Sequence, residues 1–393
     1  MLNRKLEQKI IITLEKEKNN IIQLRRYFHE NPEVSGKEYN TQKKILETLK
    51  AYGIDGEVCN KTGVVATIRG KNNGKTVAIR ADIDALSLQD EIDKPYKSKN
   101  DGICHACGHD GHTAALLGIS KAFQDSRDEL TGNIRLLFQP NEEESGGAEG
   151  MVAEGCLDGV TNVIGMHLWQ PVEVGKVALT KYMMASVAHF DIKIIGRGGH
   201  GSQPQNCVNA VNVASQVVSA LNTITSCRID PREMVVLSVG RFHSGTADNI
   251  IPEIATIGGT TRTFSRELLN NVENEIKKMT KGICEANGAA CDVEFIYGFP
   301  AVINDDEILE IARKVIEERI GKDNTIESKP NLGGEDFSCY LKKVPGVFIF
   351  VGAGNEQKGI IHGHHSPRFD LDENGIINGA KILSSVALEL LGV

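Results

Sequence analysis

Cys104-His105-Ala106-Cys107-Gly108-His109-Asp110-Gly111-His112 places five thiol or imidazole groups and a carboxylate within nine residues, a density of metal-binding side chains found nowhere else in the chain. Thiolate and imidazole are soft to borderline donors that suit zinc and related divalent ions, and two of them in one turn can hold an ion that distant carboxylates complete. The stretch reads as half of a metal site. A redox Cys104/Cys107 pair and a closed structural zinc knot are the competing readings, and the rest of the chain has to separate them.

Working outward, residues 113–123 have the pattern of a helix whose start lies directly under the cluster. Upstream, 64–68 and 76–79 are β-branched and apolar runs separated by Gly70 and Gly74, which predicts two strands of one hairpin. The second run leads into Asp82-Ile83-Asp84, and carboxylates at alternate positions on a strand end point the same way. An Asx-type turn is the bland alternative there. Downstream, 133–138 is a strand leading into Gln139-Pro140-Asn141-Glu142-Glu143-Glu144, and 163–169 is a short strand that ends around His167. Open α/β sheets carry functional groups at strand C-terminal ends, so three such strands point to one site.

At the N-terminus, Ile10, Leu14, Ile21, Leu24 and Phe28 predict an amphipathic helix over 6–30 that Asn31-Pro32 stops, and 41–52 repeats the pattern. Arg25, Arg26 and His29, near the end of that helix, are expected to be solvated or capping. A chain of 393 residues exceeds the size at which one core stops growing, which predicts two domains. Residues 187–294 follow a β-α-β-β-α order that closes as a small α+β unit, whereas 306–318, 347–351 and 375–391 return to the earlier style. The expected fold is therefore α/β. A catalytic domain with a mixed central sheet (1–186 and 295–393) is interrupted by an inserted, smaller α+β domain of ferredoxin-like form (187–294).

The hydrophobic fraction of 40% and charged fraction of 24% are ordinary for a soluble protein, and the net charge of -8 argues against a nucleic-acid or anionic-membrane partner. Nine cysteines without the regular spacing of a disulfide framework suit a reducing cytosol. The first twenty residues lack the apolar core of a signal peptide, and no run is apolar enough to span a bilayer, so a cytoplasmic location is expected.

Cys107, His109, Glu143, His167 and His365 offer thiolate, imidazole and carboxylate donors from separate segments, enough for two divalent ions that polarise a carbonyl and activate water. Glu142, next to a ligand, is suited to take the water's proton and pass it to a leaving nitrogen. That combination hydrolyses amides. A non-catalytic metal or redox sensor has no need of the extra carboxylate.

Asp82-x-Asp84-Ala85-Leu86, His105-Ala106-Cys107-Gly108-His109-Asp110-Gly111-His112, Gln139-Pro140-x-Glu142-Glu143, Gly198-Gly199-His200-Gly201-Ser202-x-Pro204, Gly334-Glu335-Asp336-Phe337 and His365-Ser366-Pro367-x-Phe369 occur in the order seen in the M20 metallopeptidase family. The chain resembles its amidohydrolase branch, which includes hippurate hydrolase and the plant indoleacetyl-amino-acid hydrolases. The resemblance implies metal ligands at Cys107, His109, Glu143, His167 and His365, with Glu142 as general acid/base. It implies that the insert is a lid or dimerisation domain, that His200 stabilises the oxyanion, and that Asn249 and Arg262 contact substrate. Cys104, Asn141 and Ser87 depart from the residues common at their positions, and none of these changes removes a ligand. Cys104, His105, His112, His362 and His364 are expected to support or pack around the ligands, and Asp84 to orient one of them. The expected protein is a homodimeric amidohydrolase acting on N-acyl amino acids, with two divalent ions per subunit. Zinc or manganese is favoured over cobalt or nickel, and a dipeptidase or an N-acetyl-diaminopimelate-type deacetylase is the alternative.

Overall fold

The strand Asn72–Asp82, which carries the first of the clustered carboxylates, is buried continuously from Thr76 to Asp82 instead of on alternate residues. That pattern marks a central strand covered on both faces. A computed structural model describes residues 4–144 and 146–392, and its largest sheet has eight strands. Their order is Gly56–Cys59, Gly63–Arg69, Thr131–Gln139, Asn72–Asp82, Asn162–Glu173, Gly346–Gly354, Val177–Leu179, Thr325–Glu327. The four strands from Thr131–Gln139 to Gly346–Gly354 run parallel, and antiparallel pairs flank them, so the sheet is mixed. Their common C-terminal edge carries Asp82, Gln139 and the following acids.

The predicted hairpin is not formed. Strand Thr131–Gln139 lies between its two members, antiparallel to Gly63–Arg69 and parallel to Asn72–Asp82. The connection instead crosses the start of the intervening strand, where Gly70 N donates to Gly132 O (3.0 Å) and Lys71 N to Leu130 O (2.9 Å). A local Gly-bounded pattern specifies a turn but not which strands pair across it.

Helices cover the sheet. His109–Gln124 and Asn374–Leu391 are buried over most of their length, and the N-terminal segment packs against both. The single helix expected over 6–30 is two, Arg4–Lys16 and Lys18–Glu30. Glu17 between them keeps a near-helical conformation (φ -82°, ψ -2°), so the stripe Leu6, Ile10, Leu14, Ile21, Phe28 stays in register and is buried.

The chain divides into two compact units, the second comprising Met184–Val302 and Asn331–Glu335. Within it an antiparallel sheet has the order Val235–Ser244, Ile254–Thr263, Ser186–Ile195, Ala290–Tyr297. Helices Ala210–Leu221 and Arg266–Ala286 pack on the face that presents Phe190, Ile192, Ile194, Ala255 and Ile257. The last strand completes a β-α-β-β-α-β order, and its alternation of Cys291, Val293 and Phe295 was present in the sequence as a strand signal. No helix among the described residues is long and apolar enough to cross a membrane.

A methyl group on Gly70 would sit 2.3 Å from Gly132 O and 2.6 Å from Leu130 O, both backbone atoms that cannot swing aside. Gly70→Ala should therefore destabilise the protein by about 1–3 kcal/mol. A urea unfolding curve checks this, and an unchanged midpoint would contradict the strand crossing described.

Candidate metal centre

The helix expected from residue 113 begins one turn earlier, at His109. Gly108 takes a left-handed conformation (φ 93°) that turns the chain into it, and Asp110 in the first turn accepts a hydrogen bond from Gly111 N (2.9 Å). His109 and His112 are consequently neighbours on one helical face.

All five expected ligands and Glu142 converge on the C-terminal edge of the parallel strands. Donor atoms of Cys107, His109 and His167 lie within 4.8 Å of one another, as do those of Cys107, Glu143 and His365, and those of His109, Glu142 and Glu143. Cys107 Sγ is 3.4 Å from His167 Nε2, and Glu143 Oε1 is 3.3 Å from His365 Nε2 and 3.9 Å from His109 Nε2. His167 is not at a strand end as predicted, because its strand, Asn162–Glu173, continues past it along the Gly346–Gly354 partner.

The second nitrogen of each imidazole fixes which one is free to coordinate. His109 Nδ1 donates to the Asp84 carbonyl (3.0 Å) and lies 3.2 Å from its carboxylate, which leaves the Nε2 lone pair for the cluster. His167 Nδ1 donates to Leu168 O (3.0 Å), turning its Nε2 towards Cys107. His109 Nε2 and Glu143 Oε1 are buried without a hydrogen-bond partner, a demand that a divalent cation held by this donor set would satisfy. The residues present fit a divalent metal.

Electrostatics follow from burial and crowding. Burial and the carboxylates of Glu143, Glu142 and Asp82 push the Cys107 thiol well above its ordinary value. Burial would lower His109, but Asp82, Asp84 and Glu143 outweigh it and raise the group to about 10, so a metal taking the Nε2 lone pair would displace a proton from it. Burial, with His112 and His364 nearby, holds His167 well below the usual imidazole value, and the contact with Glu143 raises His365.

The surrounding residues divide by contact. Asp84 orients His109 as expected and also accepts from Ser35 Oγ (2.7 Å) and Glu143 N (3.1 Å). His112 is fully engaged, with Nδ1 2.5 Å from Asp82 and Nε2 accepting from Leu168 N (2.8 Å), and so is not a ligand. Cys104 lies in the apolar core, and burial raises its thiol to about 12, the opposite of a reactive redox pair.

His200, Asn249 and Arg262 belong to the second unit. Gly199–His200 pairs with Ile250–Ile251, and Gly201 N donates to Asn249 O (2.8 Å), so His200 and Asn249 share one small exposed ladder. His200 Nδ1 accepts from Ser202 N (3.1 Å). Arg262 lies in the sheet opposite Val187 and Val236, half-buried, with Nη1 donating to Thr261 O (2.9 Å).

A further expectation is overturned. Arg25 and His29 are fully buried instead of solvated, with Arg25 Nε 2.8 Å and His29 Nδ1 2.7 Å from Asp110, and Arg25 Nη2 3.0 Å from Asp370. The helix bearing them packs over the helix that begins at His109, which removes both side chains from water. Only Arg26 is near the surface, paired with Glu373.

Residues 78–389 match the family model for peptidase family M20/M25/M40, and the chain belongs to that family. It is 40% identical over 375 residues to thermostable carboxypeptidase 2 of Saccharolobus solfataricus, covering 94% of this chain and 95% of that one. It is 46% identical over 293 residues to the N-acyl-L-amino acid amidohydrolase of Geobacillus stearothermophilus, covering 74% and 79%. Among solved structures, the Bacillus subtilis YXEP protein, described as a dinuclear metal binding peptidase of the M20 family, superimposes with a TM-score of 0.85 at 34% identity, covering 96% and 99%.

Proposed function

We propose that the protein is a metal-dependent amidohydrolase that cleaves N-acyl amino acids to a carboxylic acid and a free amino acid. The observation that carries this reading is the convergence of Cys107, His109, Glu143, His167 and His365 with a further buried carboxylate, Glu142. The five residues would hold two divalent ions, for which the mixed sulfur, nitrogen and oxygen donors favour zinc or manganese. When bound, such ions polarise the scissile carbonyl and lower the pKa of a bound water towards neutrality. Glu142 takes the proton of the attacking water and delivers it to the leaving nitrogen. Because Ser202 N–H occupies Nδ1 of His200, the neutral ring carries its proton on Nε2, where it can donate to the developing oxyanion.

Glu142→Gln keeps shape but removes the proton acceptor, so turnover should fall at least about a hundredfold with metal content unchanged. Glu143→Gln should instead lower metal occupancy, measured by elemental analysis beside activity. Exchanged phenotypes would mean that base and ligand are assigned the wrong way round.

Arg262 supports the substrate class. Among the described residues no carboxylate is paired with it, and its only perturbation is burial, which lowers its pKa. A half-buried guanidinium without a counter-ion matches a planar carboxylate, and Asn249 adds an amide donor. The amidohydrolase and carboxypeptidase named above both act, by name, on substrates that end in such a group. N-acyl amino acids should be cleaved well and their carboxamides poorly, with Arg262→Lys damaging the acids much more than the amides. Equal rates for acid and amide in one assay would refute this reading.

The second unit would act as a lid and pair two chains of a cytoplasmic homodimer, a two-fold contact being the commonest closed assembly. If His200 serves the neighbouring subunit, mixing inactive His200→Ala and Glu142→Gln proteins under conditions of subunit exchange should restore part of the activity. No recovery despite proven exchange would exclude action across the interface.

A further inference from the structure

The loop between strand Thr131–Gln139 and helix Gly147–Ala153 carries both Glu142 and Glu143, and its backbone is held on each side of Glu142 by a buried carboxylate. On one side Glu143 N donates to Asp84 Oδ2 (3.1 Å). On the other, Asn141 N donates to Glu38 Oε1 (2.9 Å), which also accepts from Gly36 N (2.8 Å), while Glu38 Oε2 accepts from Thr62 Oγ1 (2.6 Å). Glu38 is 0% exposed, and among the described residues no lysine or arginine is paired with it. A carboxylate without a cation is costly to bury, and three donors from three separate segments are what it gains in return. Asn141 adopts a left-handed conformation (φ 55°), an unfavourable one for most side-chain-bearing residues that a hydrogen bond to its N–H helps to hold.

We infer that Glu38 is a positioning residue for the hydrolytic reaction, fixing the loop so that the Glu142 carboxylate meets the attacking water at the right distance and angle. The inference rests on the reading of Glu142 as general base. Proton transfer is sensitive to misplacement of the acceptor, and an error of about 1 Å can cost a hundredfold in rate. Asp84 already serves His109 as well as the loop, so removing it would disturb metal binding too; the hydrogen bonds of Glu38 run to Asn141, Gly36 and Thr62, none of which is a proposed ligand, so it can be changed more selectively.

The test is a double-mutant cycle on the metal-loaded enzyme. Glu38→Ala should lower kcat about ten- to hundredfold with KM and metal content near wild type, while Glu38→Gln, whose amide oxygen can still accept both backbone N–H groups, should stay within about threefold. In the Glu142→Gln background Glu38→Ala should cause no further loss, because the group it positions is already disabled. If Glu38→Ala does not fold, Glu38→Asp, which keeps the charge but shortens the reach, takes its place in the cycle with the same expectation. Losses that multiply in the double variant, or a fall in metal content that accounts for the loss of kcat, would overturn the inference. A fully active Glu142→Gln enzyme would instead refute the assignment of the base, and so separates the two failures.

Discussion

An ionised carboxylate at the end of a buried strand has to be matched by cations and donors, and the matching of Asp82 organises the catalytic unit. Burial alone would raise its pKa, yet Arg80, His109 and His112 hold it well below the usual carboxylate range. Arg80, itself buried, spans from Asp82 (2.7 Å) to Asp336 (3.0 Å) and to Gln139 Oε1 (2.8 Å). Asp336 in turn accepts from Gln139 Nε2 (2.7 Å) and Ala148 N (2.9 Å). Removing one partner from such a set leaves an uncompensated charge, a loss on the order of 3–5 kcal/mol, so its members are fixed together. The strands that lead to Asp82 and to the Glu142 loop are thereby locked at one height before any ligand is considered.

A second buried network acts on the first turn of helix His109–Gln124. Arg25 and His29, one turn apart, both reach Asp110, and Tyr96 Oη joins through Asp370 (2.9 Å). Asp110 directly follows His109, so helix Lys18–Glu30 reaches the first turn of helix His109–Gln124 through charge as well as apolar packing. Burial works against ionised Asp110, but Arg25 and His29 outweigh it and keep the carboxyl far below its ordinary value. Two networks, one anchored on Asp82 and one on Asp110, hold the segment from Cys107 to His112 between them.

Legibility in the sequence followed the range of the forces. Cys107 and His109 were readable as candidate ligands because their chemistry is dense and local, whereas Glu142, Glu143, His167 and His365 come from separate segments and were joined to them by the family resemblance. Arg25 and His29 were misread because their partners lie 85 and 81 residues away for Asp110 and 345 for Asp370, and a charged residue near a helix end looks the same whether it meets water or a buried aspartate. The hairpin failed for the same reason. The pattern around Gly70 and Gly74 is local, whereas the strand that separates the two runs begins at Thr131. Strand Ala290–Tyr297 had an alternating signal and closes its unit against Ser186–Ile195. Glu38, beside a helix start, gave no sign that its carboxylate faces inward.

The histidines of the opening stretch make the limit concrete, since three identical side chains within eight residues have three different fates. His109 has its Nδ1 taken by Asp84, so its Nε2 is available to a metal. His112 has both nitrogens taken, by Asp82 and by Leu168 N, and ties the strand bearing His167 to the end of the central strand. His105 is buried with neither nitrogen hydrogen-bonded, and burial lowers its pKa to about 4, which keeps it a neutral packing group beside His29. Spacing along the chain restricts which of them can share a helical face, but the role of each is decided by what its second nitrogen meets. The partners are a neighbouring strand's backbone and an aspartate from another, so the division of roles among the three histidines is a property of the sheet order and arises only once that order is formed.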